Sequence, residues 1–489
     1  MKKWQTGLGL AAFSIAVRLP LFDAPLDRDE GSLACFALGL LDGRLPYRDF
    51  ADIKPPLLYP AYLPLAWAGT LAPELFRLAG ALWNALSAIL LWRFSARIAG
   101  EKTALFAGVL FAIFTADPSA AGFIITPELL SHFPVIGAML LFYSAMKKPE
   151  TKRAFLAGVL LGIAICMKQQ TLPLLLMAIF AAGFRPGFRL AAAFPGGAAV
   201  AGLACAGGLG LAGLLSPALE NASWGAVHIF AALPVGGIPG ALASIFGGAL
   251  ATQAPFWLLA LFGLTHPRIP RRDRAFIGAW LLCAVAGIAM GRRPYPYYLQ
   301  LSIPPLALAG GLGMGRLIRG PAKPAVISMR LAVAGTALFS LLQIIPLLTA
   351  GRETRARSLQ PGNYFLEAEK VADWLAKNAP GKSPVFIAGS ELEIAYRAGI
   401  RFAGRVPLPY LLTVKSPGSA NLRNEWLAGV RVDAPKSAVF CRSMKAWGDV
   451  YSDPETTGNL RKSALDYLKG PGWILAASIP PFDIYLRKR

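Results

Sequence analysis

Long apolar runs constrain this chain more than any other feature. Up to Ala350 the sequence is a series of apolar segments separated by short polar stretches, and a helix needs about 20 apolar residues to cross a bilayer. Charged residues make up only 16% of the chain, against about 25% in soluble proteins. The chain is therefore predicted to be a polytopic α-helical membrane protein. The clear candidate spans are 5–22, 76–95, 103–120, 127–146, 189–215, 240–264, 275–291, 298–317 and 330–350.

The segment 154–184 decides the predicted topology, because it is too long for one upright span and carries Lys168 at its centre. If it is a hairpin that turns at "CMKQQT", the basic clusters between the spans all fall on one side, as the positive-inside rule requires. This predicts about eleven spans, a cytoplasmic amino terminus and a first periplasmic loop at 23–74. The proline-rich apolar stretch 57–73 is interpreted as a juxtamembrane or re-entrant segment of that loop.

The composition changes after Ala350, at the polar stretch "GRETRARSLQPGN". We therefore divide the chain into a membrane domain, 1–350, and a soluble domain, 351–489, which the odd number of spans places in the periplasm of a bacterium. In the soluble domain "VADWLAKNA" is typical of an amphipathic helix, while "SPVFIAG", "KSAVFC" and "GWILAAS" are typical of short buried strands. This part is predicted to be α/β, and it contains no catalytic motif.

The net charge of +22 does not indicate nucleic-acid binding. The basic residues of the membrane part lie mainly in short clusters between apolar runs, where orientation in the membrane explains them. The five cysteines have neither metal-like nor paired spacing.

Acidic residues are concentrated in the first loop. Of the 14 acidic residues before Ala350, 8 lie in 23–74, and the stretch "DAPLDRDEG" holds four of them. Asp29 and Glu30 fit the start of a helix, where carboxylates favour the helix dipole. The alternative is a carboxylate held at the membrane surface as a general base or as a cation ligand.

A lysine follows in "DIKPP", where Lys54 stands between Asp52 and a Pro-Pro pair that fixes the backbone. An ammonium group held rigidly beside the bilayer suits a phosphate. A snorkelling lysine would explain the same residue.

The stretch "TPELLSH" begins another span. Thr126 suits the cap, Pro127 the first helical position and Glu128 the first turn. Glu128 and His132 are also four residues apart on one helix face at the outer boundary, where ionisable residues are functional candidates. Two such residues could contribute to a metal site, but they do not define one.

Isolated cations and aromatic residues complete the predicted outer face. An aromatic belt explains the tyrosines but not the arginines, which prefer phosphate oxygens. Carboxylates and cations beside lipid suit a lipid-linked phosphate leaving group, with an acid or base that activates an acceptor. The residues are Lys168, Arg292, Arg293, Tyr295, Tyr297 and Tyr298.

These segments together resemble the GT-C glycosyltransferases that use polyprenyl-phosphate sugars. The similar branches are bacterial relatives of protein O-mannosyltransferases (glycosyltransferase family 39) and of the lipid A aminoarabinose transferase (family 83). The resemblance covers roughly 1–350. It is carried by "DRDEGSLACFALGLLDGRLPYRDFADIKPPLLYP", "TPELLSHFPVIGAMLLFY", "GVLLGIAICMKQQTLPLLL" and "RRPYPYYLQLSIPPLAL".

The resemblance implies a GT-C fold, no nucleotide sugar and one inverting displacement at the anomeric carbon. The family's acidic pair corresponds to Asp29 and Glu30, and its Lys-Pro-Pro lysine to Lys54. Asp29 would be the base, with Glu30 and Glu128 as further catalytic candidates. The phosphate would be held by Lys54, Lys168, Arg292 and Arg293, and the substrate by Asp52, His132, Tyr295, Tyr297 and Tyr298.

The sequence departs from the family at two positions. The lipid A branch has a glutamate directly before the lysine, where this chain has Ile53, with Asp52 one residue further back. The segment before the late outer helix often carries a histidine where this chain has Tyr297. The first of these departures weakens the transfer of a metal or substrate role to that position.

Two other functions remain open at this point. An O-antigen ligase or polymerase would also use polyprenyl-linked sugars, and a polytopic transporter would predict inverted repeats and broken helices at the midplane. The expected partners are a polyprenyl-phosphate sugar, a lipid, glycan or protein acceptor and the bilayer, without nucleic acid. The sugar, the acceptor and a requirement for a divalent cation stay undetermined.

Overall fold

The structure is a computed structural model that describes residues 2–183, 187–230, 237–293, 295–320, 324–381, 383–413, 417–448 and 452–488. The chain divides into two compact units. Unit 1 comprises Met1–Asp23, Arg77–Cys205 and Pro234–Arg355, and unit 2 comprises Ala24–Phe76, Ala206–Leu233 and Ala356–Arg489.

The described chain is mainly helical. The α-helices of the membrane part are Lys3–Ala16 (α1), Arg28–Gly39 (α2), Leu58–Leu71 (α3), Pro73–Ala99 (α4), Glu101–Thr115 (α5), Pro127–Lys147 (α6), Thr151–Ile165 (α7), Met177–Ala182 (α8), Gly187–Leu211 (α9), Leu215–Phe230 (α10), Gly237–Leu264 (α11), Arg271–Met290 (α12), Ile303–Arg319 (α13) and Pro324–Thr349 (α14). The later α-helices are Arg352–Leu359 (α15), Phe365–Asn378 (α16), Glu393–Ala398 (α17), Pro417–Asp433 (α18) and Pro454–Lys469 (α19). Short 3-10 helices cover Leu19–Leu21, Pro118–Ala120, Gln169–Leu176, Pro296–Ser302, Pro409–Leu411 and Met444–Ala446.

Each predicted apolar run contains a helix, and the fold class is confirmed: the chain is a polytopic α-helical membrane protein with a small carboxy-terminal sheet. Within the described ranges six helices are long and apolar enough to cross a membrane, or seven if the bent α11 is one span. The number of eleven spans stays a prediction. The helix break at 166–168 falls inside the turn predicted at "CMKQQT".

Close helix packing in unit 1 depends on glycine. A Cβ atom on Gly263 of α11 would lie 1.9 Å from the carbonyl oxygen of Ala309, and one on Gly313 of α13 would lie 2.0 Å from that of Leu259. Small residues let helix backbones approach in this way, which replaces the hydrophobic driving force that is missing between helices in lipid. α11 and α13 therefore form a tightly packed pair.

The carboxy-terminal part of unit 2 contains one four-stranded sheet. Its strands are Val385–Ala388 (β1), Ser437–Cys441 (β2), Trp473–Ile479 (β3) and Phe482–Arg487 (β4), in the order β1-β2-β4-β3. β1 and β2 are parallel, whereas β4 pairs antiparallel with both of its neighbours. The prediction of an α/β fold for this part is confirmed.

Two features of the sheet differ from the sequence prediction. "GWILAAS" was expected to be buried, but β3 is an edge strand in which Ile474 and Leu475 are 46% and 57% exposed. β3 has a strand neighbour on one side only and is therefore less covered than a central strand, although the other edge strand, β1, is buried throughout. β4 was not predicted, although "FDIYLR" alternates apolar Phe482, Ile484 and Leu486 with other residues, as a strand does.

Candidate functional site

The predicted site residues form two clusters, one in each unit. The loop cluster, in unit 2, consists of the predicted residues Asp29, Glu30, Asp52 and Lys54 together with Asp27, which was not predicted as a site residue. The span cluster, in unit 1, consists of Glu128, His132, Lys168, Arg292, Arg293, Tyr295, Tyr297 and Tyr298.

The start of α2 is closed by a capping box. The backbone N–H of Asp29 donates to Oδ1 of Asp27 at 2.7 Å, and the N–H of Asp27 donates to Oε2 of Glu30 at 3.1 Å. Such a box satisfies N–H groups that the helix itself leaves without acceptors. The capping carboxylates are therefore Asp27 and Glu30, and Glu30 is 1% exposed.

Asp29 differs from the other acids of the loop cluster. Its backbone carbonyl accepts from the Ser32 hydroxyl at 3.0 Å, but its carboxylate accepts no hydrogen bond from any residue that the structure describes. The side chain is half-buried in the first turn of α2. A partly desolvated carboxylate without a donor has both oxygens available to accept a proton.

Asp52 and Lys54 form an ion pair. The Lys54 ammonium lies 3.2 and 3.3 Å from the two carboxylate oxygens of Asp52. Asp52 is fully buried, whereas the Lys54 side chain is 18% exposed. Lys54 is thus not a snorkelling residue, because its ammonium lies over a buried carboxylate rather than extending into solvent.

Several residues that the sequence did not single out hold Asp52 in place. The hydroxyls of Tyr59 and Tyr410 donate to its carboxylate at 3.2 and 3.4 Å. Its backbone N–H donates to Oδ1 of Asn221 at 3.1 Å. Asn221 belongs to α10 and Tyr410 to the 3-10 helix Pro409–Leu411, so no local sequence signal could have linked them with Asp52.

Burial and charge shift two pKa values in the loop cluster. Burial, together with the negative charges of Asp29 and Glu30, raises the pKa of Asp27 to about 7. Burial disfavours the charged form of Lys54, but the carboxylates of Asp52 and Asp29 outweigh it and raise the pKa of this lysine. Lys54 is therefore a stable cation whose field reaches Asp29.

Glu128 forms an ion pair in the span cluster. The Lys168 ammonium lies 2.8 Å from Oε1 of Glu128, and the two side chains are 12% and 0% exposed. The predicted cap of α6 is confirmed, because the Thr126 hydroxyl accepts from the N–H of Leu129 at 3.2 Å and Pro127 is the first helical residue. Glu128 is thus positioned by the helix start and compensated by Lys168.

His132 lies one turn further along α6 and has a different partner. Its Nε2 lies 2.8 Å from the carbonyl oxygen of Gln300, and its ring packs edge-on against Phe111. The Gln300 amide in turn donates to the carbonyls of Thr115 and Ala120 at 3.2 and 3.0 Å. Within the described residues no group of three or more His, Cys, Asp or Glu side chains suits a metal ion.

The segment that precedes α13 supplies cations and aromatic rings. Lys168 Nζ lies 6.0 and 5.3 Å from the ring centres of Tyr297 and Tyr298, within the range of a cation–π interaction. Arg293 is 2% exposed and donates to the Tyr295 hydroxyl at 3.2 Å. The structure thus brings Glu128, Lys168 and these tyrosines into one network.

Comparisons with known proteins agree with this architecture. The family model described as dolichyl-phosphate-mannose-protein mannosyltransferase matches residues 72–207, which include Glu128, His132 and Lys168. A search of curated protein sequences gives no match.

Solved structures are similar over almost the whole chain. ArnT from Cupriavidus metallidurans bound to undecaprenyl phosphate is 15% identical with a TM-score of 0.61, and the alignment covers 98% of this chain and 97% of that chain. The apo state of the same protein is 14% identical with a TM-score of 0.57, and the alignment covers the same shares of the two chains. The Archaeoglobus fulgidus oligosaccharyltransferase in its apo form is 12% identical with a TM-score of 0.51, and the alignment covers 93% of this chain and 72% of that chain. The chain therefore has the fold of the GT-C glycosyltransferases, and the resemblance inferred from its sequence is confirmed.

Proposed function

We propose that this protein is a membrane glycosyltransferase that moves a sugar from a polyprenyl-phosphate sugar to a lipid, glycan or protein acceptor. One observation carries the assignment of the base. Among Asp27, Asp29, Glu30 and Asp52, only the Asp29 carboxylate accepts no hydrogen bond from the described residues. The undecaprenyl phosphate bound to the similar ArnT structure supports the donor class.

The reaction is a single displacement. Asp29 removes the proton from the acceptor hydroxyl as its oxygen attacks the anomeric carbon. The bond from that carbon to the phosphate oxygen breaks with its electron pair, and polyprenyl phosphate leaves. Attack opposite the leaving group inverts the anomeric carbon.

The cations are assigned to the phosphate. Lys54 has three N–H donors, and its two contacts with Asp52 leave one for a phosphate oxygen. Lys168, Arg292 and Arg293 are assigned the same role, since charge-assisted bonds to phosphate are strong. Glu128 and Asp52 then act by holding the lysines.

The remaining predicted residues receive supporting roles. Glu30 orients the start of α2, because its carboxylate is part of the capping box. His132 fixes the backbone at Gln300. Tyr295 and Tyr297 stack with ring centres 5.2 Å apart, and together with Tyr298 they suit the face of a sugar ring.

We place the reaction on the periplasmic face of a bacterial inner membrane, with a membrane domain at 1–350 and a soluble domain at 351–489. Reporter tags after Arg489 should therefore report the periplasm, and tags at 149–151 the cytoplasm. A cytoplasmic tag after Arg489 would contradict both the number of spans and this location.

The experiment that tests the base compares Asp29→Asn with Glu30→Gln in liposomes supplied with a purified polyprenyl-phosphate sugar. A general base contributes about 10²–10⁴-fold, so Asp29→Asn should lower transfer by that factor while donor binding is unchanged. Glu30→Gln should be milder, since it removes a helix-terminus charge worth about 0.3–1 kcal/mol. Parental turnover by Asp29→Asn would exclude Asp29 as the base.

A further inference from the structure

Residues 356–489 hold the helix that carries the proposed base. Arg28 of α2 donates to the carbonyl oxygen of Lys445 at 3.2 Å, and its other terminal nitrogen lies 3.5 Å from Oε1 of Glu391. The amide of Gln360 donates to the Asp27 carboxylate at 2.9 Å. The carboxy-terminal part of unit 2 thus contacts both residues that precede Asp29.

The same helix touches the carboxy-terminal part with its backbone. A Cβ atom on Gly31 would lie 2.4 Å from both Cα and N of Glu393, the first residue of α17. Gly31 lies within the regular helix, so this contact, and not its backbone conformation, requires glycine. One turn later the Cys35 thiol donates to the carbonyl oxygen of Leu392 at 3.5 Å. α2 therefore packs against the segment that carries Glu391 and Glu393.

Two of the carboxylates at this contact are buried. Glu391 and Glu393 are 1% and 4% exposed, and neither oxygen of Glu393 accepts a hydrogen bond from another described residue. Burial, and next the charge of Glu391, raise the pKa of Glu393 well above its usual range. The charged groups that act on the Arg28 guanidinium are Glu391, Asp27, Glu393 and Asp29.

Adjacent residues of a helix do not face each other, but the charge of Asp29 acts on the Arg28 guanidinium, so this long side chain could pair with either Glu391 or Asp29. In the structure it lies at Glu391 and at the Lys445 carbonyl. We propose that Glu391 is a positioning residue that draws the Arg28 guanidinium away from Asp29 and thereby keeps the base free of an ion pair. This inference rests on the proposed function, because it assigns a role relative to the base Asp29.

The soluble part of the chain then has a defined purpose in the reaction. It sets the electrostatic surroundings of the base through one arginine, Arg28, which Glu391 holds. This role would account for two facts. Residues 356–489 contain no catalytic motif, and yet two of their carboxylates, Glu391 and Glu393, are buried against the loop that carries Asp29.

The test is the pH dependence of kcat for Glu391→Gln, measured as polyprenyl phosphate release in liposomes. The substitution keeps the side-chain size but removes the charge that attracts Arg28. A cation near a carboxylate lowers its pKa by about 1–3 units. The acidic limb of the pH profile, in which kcat rises as Asp29 loses its proton, should therefore move to lower pH by about 1 unit. The weaker base should lower the plateau of kcat by about three- to tenfold, while KM for the donor stays the same.

Two companion variants separate positioning from folding. The double variant Arg28→Gln/Glu391→Gln removes the misplaced cation, so its acidic limb should return to the parental position. The control is Glu369→Gln, which removes one of the two carboxylates that lie 3.1 Å from Arg397, in a group that contains no residue of α2. Its acidic limb should not move.

An unshifted acidic limb in Glu391→Gln, or a double variant that stays shifted, would overturn the positioning role even if both variants were less active. Arg28→Gln alone provides a second test if Glu391→Gln does not fold. Because the parental Arg28 is held away from Asp29, its acidic limb should stay at the parental position, and a rise by about 1 unit would overturn the positioning role, because it would mean that Arg28 already pairs with Asp29. The variant Asp29→Asn is measured in parallel. If it is inactive and the limb of Glu391→Gln does not shift, only this inference fails. If it is fully active, the base assignment and this inference both fail.

Discussion

The ion pair between Glu128 and Lys168 gives the sharpest test of the span cluster. Its atoms are 2.8 Å apart and its side chains are 0% and 12% exposed. Exposed pairs contribute about 0–1 kcal/mol, whereas removing one partner of a buried pair costs about 3–5 kcal/mol because the other charge stays uncompensated. Because both side chains are nearly inaccessible to solvent, the pair counts as buried. Lys168→Met should therefore lower the free energy of unfolding of unit 1 by about 3–5 kcal/mol.

A second ion pair supplies a control at the same distance. Lys3 and Glu101 also lie 2.8 Å apart, but their side chains are 76% and 45% exposed. Lys3→Met should therefore cost at most about 1 kcal/mol. The assay is denaturant unfolding in detergent micelles, followed by tryptophan fluorescence.

The double variant Glu128→Gln/Lys168→Met completes the cycle. Residues in contact show coupling energies of about 0.5–3 kcal/mol. The double variant should therefore lose less free energy of unfolding than the sum of the losses of the two single variants. It should still bind the donor weakly, because Lys168 is assigned to the phosphate. The pair is not a buried, coupled ion pair if Lys168→Met lowers the free energy of unfolding no more than Lys3→Met does. The same conclusion follows if the losses of the two single variants simply add up in the double variant.

Three further predictions concern the donor, the helix cap and helix packing. Arg293→Ala and Lys54→Ala should each weaken donor binding by about 2–5 kcal/mol, as for a desolvated charged partner, and unchanged donor affinity in both variants would contradict the phosphate role. The pKa of Asp27 is raised to about 7 in the fold, so its contribution to stability is full below the unfolded pKa of about 3.9 and is lost as the pH rises through about 7. Asp27→Asn keeps an acceptor at the cap, so its unfolding midpoint should exceed the parental one at about pH 8 and match it at about pH 4; equal midpoints at both pH values would argue against the shift. Gly313→Ala should lower the unfolding midpoint, because its Cβ atom would lie 2.0 Å from a carbonyl oxygen of α11, whereas Gly278→Ala, with no atom within 4 Å, should not lower it, because alanine is the better helix former.

Local features of the fold could be predicted from the sequence. The cap of α6 at Thr126 and Pro127 depends on residues next to each other in the chain, and it is confirmed. The start of α2 was placed correctly, but the capping residue is Asp27, which accepts from the N–H of Asp29. Several neighbouring carboxylates satisfied the same local preference, so the sequence could not select among them.

The partners of the site residues could not be predicted, because they come from distant parts of the chain. Glu128 and His132 share a helix face, yet Glu128 pairs with Lys168 and His132 with the backbone of Gln300. Two contacts are exceptions, because Asp52 lies two residues from Lys54 and seven from Tyr59. Tyr410 and Asn221, in contrast, reach Asp52 only because the chain folds back. The contact of Arg28 with Glu391 joins residues more than three hundred positions apart.

In the proposed function the protein breaks the bond between a sugar and a polyprenyl phosphate. The most direct measurement is the release of polyprenyl phosphate from a purified polyprenyl-phosphate sugar by the protein in liposomes, with acceptors extracted from the membrane of its host. We predict release that depends on acceptor, equals the sugar transferred and falls about 10²–10⁴-fold in Asp29→Asn. Transport of the intact donor across the bilayer without any release of polyprenyl phosphate would contradict the account.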